Sequence, residues 1–212
     1  MNLFSMHLFW PLLAYLIGSI PFGLIIVRSV ARIDIREQGS GNIGATNVWR
    51  TVGSGWAAAV LAGDLLKGLL PVVGTLFLMD TNLPWLPAMT ALAAIAGHTY
   101  PAYLKFKPSG KGVATTLGAF VAMTPLAILI ALLAFVLVVY KFRHVALGSL
   151  AAAIALPPGI WFTKHDPVLT ACALIVMVLI VWRHADNLRR LARGVEPSLD
   201  ELHETEPRDQ RA

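Results

Sequence analysis

Charge is what this chain has least of: 14% of its 212 residues are Asp, Glu, Lys or Arg, while 57% are hydrophobic and the mean hydropathy is +0.68. So little charge cannot keep the surface of a soluble domain wetted, and the chain is expected to be an all-α integral membrane protein. Cysteine is nearly absent as well. The single Cys172 lies in an apolar run, which excludes a disulfide framework and a cysteine-based metal site within one chain. No Lys or Arg precedes Arg28, so the first apolar segment lacks the basic start of a secretory signal and is expected to be a retained span. The histidines at 7, 98, 144, 165, 184 and 203 show no metal-ligand spacing, and no metal is expected.

What is abundant is uninterrupted apolar sequence. Charge-free runs fall at 1–27, 51–63 continuing at 68–79, 81–104, 112–140, 144–163 and 167–182. Each is a helix candidate, because lipid offers backbone groups no partner outside their own helix. As one helix the run 112–140 would be roughly 43 Å long at about 1.5 Å per residue, too long for a hydrocarbon core of about 30 Å. Thr124 and Pro125 interrupt it, and splitting it there yields a seven-span bundle with at least one short helix. The split also satisfies the positive-inside rule: alternation through seven spans puts fifteen of the seventeen Lys and Arg residues on one side, with Lys67 inside a span and Lys164 opposite. The N-terminus is then external and the C-terminus cytoplasmic. The segment 112–123 is too short to cross a full bilayer, so it is expected to start below the membrane surface, beside a polar cavity. Residues 1–196 form the bundle in this reading, and 197–212 a polar tail expected to be disordered.

Three polar segments break the apolar pattern, and alternation puts all three on the cytoplasmic side: GSGNIGATNVWR (39–50), GHTYPAYLKFKPSGKGVATTLG (97–118) and RHADNLRRLARGVE (183–196). Glycines and serines in the first let the backbone turn its amides toward one point, an arrangement that binds anions, and Arg50 adds a guanidinium suited to phosphate. In the second, Lys111 between Gly110 and Gly112 opens a helix, where amides and dipole favour an anion. This is not a Walker A loop, since Lys105 stands where the first glycine belongs and no Ser or Thr follows Lys111. In the third, His184 and Asn187 share a helical face amid arginines. Asp64 and Lys67 also share a face, inside a span, where ionisable groups are either functional or a structural ion pair.

Together these segments resemble the bacterial acyl-phosphate:glycerol-3-phosphate acyltransferase family, through GSGNIGATN, the intramembrane GDLLKG (63–68), GHTYP with GKGVAT, and RHADNLRRLARGVE, in that order from about Gly18 to Glu196. The family usually reads Phe-Lys-Gly-Gly-Lys-Gly, whereas this chain reads Phe106-Lys107-Pro108-Ser109-Gly110-Lys111-Gly112, one residue longer. The resemblance implies transfer of a fatty acyl group from an acyl phosphate to the sn-1 hydroxyl of glycerol 3-phosphate at the inner membrane. It implies no cofactor and no nucleic-acid partner, but membrane lipid and an acyl-phosphate-producing enzyme as neighbours. By the same resemblance Ser40, Lys111, His184 and Asn187 are catalytic. Ser40, Asn42, Gly44, Thr46 and Asn47 cradle the acyl phosphate; Arg50 and Ser149 join Lys111, His184 and Asn187 around glycerol 3-phosphate, with Gly110 and Gly112 completing the lysine loop.

An acyl phosphate has a good leaving group, so no covalent enzyme intermediate is required, and positioning supplies much of the catalysis. A carrier for phosphate or phosphate esters is the alternative, although the chain lacks a repeated pair of glycine- or proline-broken helices. An acyl-CoA enzyme of the His-four residues-Asp type is excluded, because no His is followed by Asp at that spacing.

Overall fold

The computed structural model describes residues 3–78 and 83–204, and among these every regular element is helical. The chain opens with α1 (Leu3–Gly18) and α2 (Phe22–Ala31), separated where Pro21 brings no amide to continue the ladder. A 3-10 turn, Ile35–Glu37, and a glycine-rich loop lead to α3 (Ala45–Val52) and α4 (Ser54–Leu78). Then follow α5 (Trp85–Thr99), α6 (Val113–Val121), α7 (Pro125–Phe142), α8 (Val145–Lys164), α9 (Pro167–Arg183), α10 (Ala185–Ala192) and α11 (Leu199–Glu204). The expected span 1–27 is thus two helices.

Among the described residues each segment expected to span contains an α-helix, and the break between α6 and α7 falls at Thr124 and Pro125 as expected. There the Thr124 hydroxyl donates to the Phe120 carbonyl at 3.1 Å, and Pro125 starts α7 where a missing amide does no harm. Among the described residues four stretches are long and apolar enough to cross a bilayer: Phe9–Ala31, Ser54–Leu78, Pro125–Phe142 and Val145–Lys164. A fifth is α9 with α10 if that pair, bent by 50°, is one span. The nine residues of α6 reach about 14 Å at about 1.5 Å each, under half of a hydrocarbon core of about 30 Å. Length alone accounts for four or five crossings, and seven require loops to complete α5 and α6.

On α7, Leu129, Leu133, Val136 and Leu137 are each more than half exposed, an apolar face that suits lipid and not water. Inside, close helix approach depends on small residues. Gly68 of α4 lies against the Thr115 carbonyl and Gly118 of α6 against the Leu65 carbonyl, and a Cβ on either would collide with that backbone. The main core, around Ile95, Phe120, Ile160 and Val176, joins α4 to α9. A second core of Leu24, Val27, Ile35, Ile43, Val48 and Val60 packs α2, the glycine-rich loop and α3 onto α4. The loop is therefore anchored from beneath by its own isoleucines.

Within the tail, residues 199–204 form α11. The Leu199 amide donates to the Arg143 carbonyl at 2.6 Å, and Asp200 meets the Arg143 guanidinium, tying the tail to the turn between α7 and α8. Residues 205–212 lie outside the described residues.

Candidate active site

A cavity of about 330 Å³ opens at one end of the bundle, where α3, α4, α5, α6, α7, α8 and the hinge between α9 and α10 converge. Ser40, Asn42, Gly44, Thr46, Asn47, Arg50, Lys111, Gly112, Ser149, His184 and Asn187 all border it. Of the residues expected at the site only Gly110 does not. The three polar segments, far apart along the chain, meet at this end.

The first segment is organised by Asn47. Its buried carboxamide accepts from the Ser40 amide at 2.9 Å and donates to the carbonyls of Ile35, Gln38 and Asn42 at 3.3, 3.0 and 2.9 Å. Asn42 in turn accepts from the Gly44 amide at 2.8 Å. The expected ring of free amides is therefore partly filled by the loop's own asparagines, because buried N–H groups need partners in the empty protein too. What the loop presents is the start of α3: Gly44, Ala45 and Thr46 line the cavity, and no side chain caps this helix. Its first amides are an anion seat.

Across the cavity, Lys111 Nζ donates to Asn187 Oδ1 at 2.7 Å, Asn187 Nδ2 to Glu196 Oε1 at 2.6 Å, and Arg190 Nε to Glu196 Oε2 at 2.7 Å. Glu196 is buried, and as a paired carboxylate it holds the cations together. Burial, aided by the Arg190, Arg50 and Arg183 charges, pulls the Lys111 ammonium down to about 8 against the opposing pull of Glu196. Burial likewise lowers the Arg50 guanidinium, whose Nε has no hydrogen-bond partner among the described residues. Both cations are desolvated and ready for an anion.

His184 is almost fully buried, with Nδ1 2.8 Å from the Ile180 carbonyl. A carbonyl only accepts, so the ring proton sits on Nδ1 and Nε2 keeps its lone pair. Burial first, then the Lys111 charge, holds this imidazole down to about 4, so it is neutral at physiological pH. The Ser149 hydroxyl, also on the wall, donates to the Val145 carbonyl at 2.9 Å.

Gly110 works from behind. A Cβ there would overlap His98 Nε2, and the Gly110 carbonyl accepts from Arg183 Nε at 3.1 Å. In the same loop the Ser109 amide donates to the Thr99 carbonyl at 3.1 Å and its hydroxyl donates to the Lys107 carbonyl at 2.8 Å. Gly112, at φ 85°, takes the left-handed turn into α6 that a side chain would strain.

Asp64, His98 and Glu196 also border the cavity, although the sequence did not single out His98 or Glu196 as site residues. Lys67 lies 2.7 Å from Asp64 and donates to the Ile20 carbonyl at 2.9 Å, so this ion pair ties α4 to the break between α1 and α2. A usable signal for Glu196 was a carboxylate ending an arginine-rich segment. His98 carried none, since an aromatic ring at the end of an apolar run reads as an interface mark.

Beyond its polar residues the cavity has a largely apolar lining, an apolar slot to which α7 contributes Ile128, Ala131, Leu132 and Phe135 and α8 contributes Val145, Ala146, Ala152, Ala153 and Leu156. The whole is amphipathic: cations and amides at the mouth, hydrocarbon within.

The family model described as glycerol-3-phosphate acyltransferase matches residues 8–194. The glycerol-3-phosphate acyltransferase of Syntrophotalea carbinolica is 48% identical over 185 residues, covering 87% of this chain and 93% of that protein. The one from Geobacter metallireducens is 49% identical over 183 residues, covering 86% and 92%. The fold is similar to that of PlsY (YgiH), an integral membrane glycerol 3-phosphate acyltransferase, in its glycerol 3-phosphate form, with a TM-score of 0.85 and 35% identity over 91% of this chain and 95% of that one. Its lysophosphatidic acid form gives a TM-score of 0.83 at 34% identity, covering 93% and 98%. With its family model matched over most of its length and close relatives nearly coextensive with it, the chain belongs to the glycerol-3-phosphate acyltransferase family.

Proposed function

We propose that this protein transfers a fatty acyl group from an acyl phosphate to the sn-1 hydroxyl of glycerol 3-phosphate, giving lysophosphatidic acid and inorganic phosphate. The observation that carries this reading is the continuity of a cationic mouth with an apolar slot in one cavity. Two phosphate-bearing substrates, one with a hydrocarbon tail, require that combination. The start of α3 and the Ser40 loop receive the phosphate of the donor, whose tail occupies the slot between α7 and α8. Arg50, Lys111 and Asn187 hold glycerol 3-phosphate against it.

The hydroxyl oxygen adds to the donor's carbonyl carbon, the bond from that carbon to the phosphate oxygen breaks, and phosphate departs with the electron pair. His184 Nε2, unprotonated and on the cavity wall, accepts the hydroxyl proton and passes it to the leaving phosphate. A free Nε2 lone pair, together with the low pKa of His184, supports this role over that of a cationic anchor. The fifteen basic residues gathered on one side support a cytoplasmic site in the inner membrane, with seven spans and an external N-terminus.

The test is an assay of detergent-purified protein with palmitoyl phosphate, palmitoyl-CoA and palmitoyl-acyl carrier protein in parallel, with and without glycerol 3-phosphate. Phosphate release that requires glycerol 3-phosphate, and only with palmitoyl phosphate, is the expected result. Transfer from the thioesters alone overturns the donor assignment. Uptake of labelled glycerol 3-phosphate into proteoliposomes without a lipid product points to a carrier.

A further inference from the structure

Asp64 on α4 and His98 on α5 border the cavity, yet the reaction described above gives neither of them a part. Only 4% of each side chain is exposed, too little to grip a substrate, so what they offer the site is support from behind. His98 Nδ1 is buried 3.5 Å from Asp64 Oδ1 and has no hydrogen-bond partner among the described residues. Burying a ring nitrogen in that way is unfavourable, and an aliphatic side chain would fill the space without the penalty.

What the ring meets is the lysine loop. A Cβ on Gly110 would run into Nε2, Cδ2 and Cε1 of His98, so the Nε2 end of the imidazole rests on the Gly110 backbone. Its neighbours on the same helix serve Gly112, where a Cβ would come within 3.3 Å of Ile95 Cγ2 and 3.6 Å of Thr99 Oγ1. The Ser109 amide also donates to the Thr99 carbonyl. Both glycines that flank Lys111 are thus seated on the last turn of α5. Opposite the ring, Arg183 Nε donates to the Gly110 carbonyl, which holds the loop against its seat. Behind the ring, Asp64 is paired with Lys67, and Lys67 donates to the Ile20 carbonyl, so the support runs back to the break between α1 and α2. The two nitrogens of an imidazole point to different sides. A carboxylate beside Nδ1 therefore turns Nε2 toward the loop.

We propose that His98, oriented by Asp64, is a positioning residue for glycerol 3-phosphate: it sets where the Gly110 to Gly112 loop lies, and through it the point that Lys111 Nζ reaches. This rests on the function proposed above. The phosphate of the donor is received at the start of α3, away from this seat, so a disturbance of His98 falls on one substrate and spares the other.

The full-length purified protein is compared with its His98→Ala, His98→Gln, Gly110→Ala and His98→Ala/Gly110→Ala variants. The readouts are KM for each substrate with palmitoyl phosphate as donor, Tm, and the Kd for glycerol 3-phosphate from calorimetric titration without donor. In His98→Ala, KM and Kd for glycerol 3-phosphate rise about tenfold, while KM for palmitoyl phosphate stays within about twofold. His98→Gln, whose amide end reaches the place of Nε2, keeps all three within about threefold. Gly110→Ala weakens glycerol 3-phosphate binding more than His98→Ala does. In the double variant the new Cβ enters the space left by the ring, and glycerol 3-phosphate binds at least about threefold more tightly than in Gly110→Ala. Asp64→Asn, which frees the ring to turn, gives the same one-sided rise at about threefold, and it carries the test should His98→Ala not fold.

Unchanged KM and Kd for glycerol 3-phosphate in His98→Ala, alongside lost transfer in Lys111→Ala, refute the positioning role and leave the function standing. Equal losses for both substrates in step with a fallen Tm, or a double variant weaker than either single one, overturn it in favour of a packing role. Absence of both transfer and glycerol 3-phosphate binding in the wild type overturns the function itself, and this role with it.

Discussion

The mouth and the slot of the cavity are built in opposite ways. At the mouth, polar side chains are held by directed bonds: Lys111 to Asn187 across two segments, Asn187 to Glu196, and Asn47 to four backbone groups of its own segment. In the slot, α7 and α8 contribute mainly alanines and aliphatic side chains, which offer shape and no directed bonds. Directed bonds fix a position to a fraction of an ångström, and the loss of one is felt steeply. Apolar fit is graded, because a methylene more or less is only a small step in free energy.

The contrast is broken most severely at the cations. Lys111→Ala and Arg50→Ala each remove a desolvated charge, and transfer from palmitoyl phosphate in purified protein is expected to fall about a hundredfold or more. Near-normal turnover in both would dismiss the two-phosphate mouth. Asn47→Ala comes next. Its hydrogen bonds contribute about 1 kcal/mol each, so Tm falls clearly in thermal unfolding and turnover drops roughly tenfold or more as the Ser40 loop loosens. Asn47→Asp, which keeps the acceptor and loses the donor, separates the two halves of that network.

A smaller effect follows from pH. The Lys111 ammonium is charged below about 8 and neutral above, so the KM for glycerol 3-phosphate rises as pH passes upward through that value. Lys111→Arg, charged throughout, abolishes the rise. Because His184 is neutral above about 4, no loss of turnover is expected near pH 6.5, where an ordinary imidazole titrates. The mildest change belongs to the slot. Ala153→Leu shortens the preferred acyl chain and alters kcat/KM for palmitoyl phosphate by about tenfold or less, leaving the KM for glycerol 3-phosphate alone. An unchanged chain-length profile would remove the slot as the acyl site.

Much of this was legible before any coordinates. Apolar runs and proline placement located the helices, and the one-sided distribution of Lys and Arg anticipated that 39–50, 97–118 and 183–196 would meet. Such features are local or additive. What sequence did not reveal depends on pairings that have no local signature. His98 and Gly110 touch because α5 and the loop after it fold back on each other, and only then does the glycine acquire its steric purpose. Asn47 was expected to cradle the acyl phosphate, yet its carboxamide bonds the loop's own backbone at Ile35, Gln38, Ser40 and Asn42, brought to it by the hydrophobic anchoring of Ile35, Ile43 and Val48 beneath. The first span read as continuous because Pro21 was surrounded by apolar residues.

Glu196 stands after the last long helix, and it is therefore the final contributor to the reaction chamber that a ribosome delivers. Before it arrives, Lys111 faces Arg50, Arg183 and Arg190 with no carboxylate among them. A nascent or shortened chain ending ahead of residue 196 would carry every long apolar helix yet hold four like charges in mutual repulsion. Such a chain would lack the carboxylate that joins Asn187 to Arg190, and with it the only counter-charge that Lys111 feels from this end of the sequence.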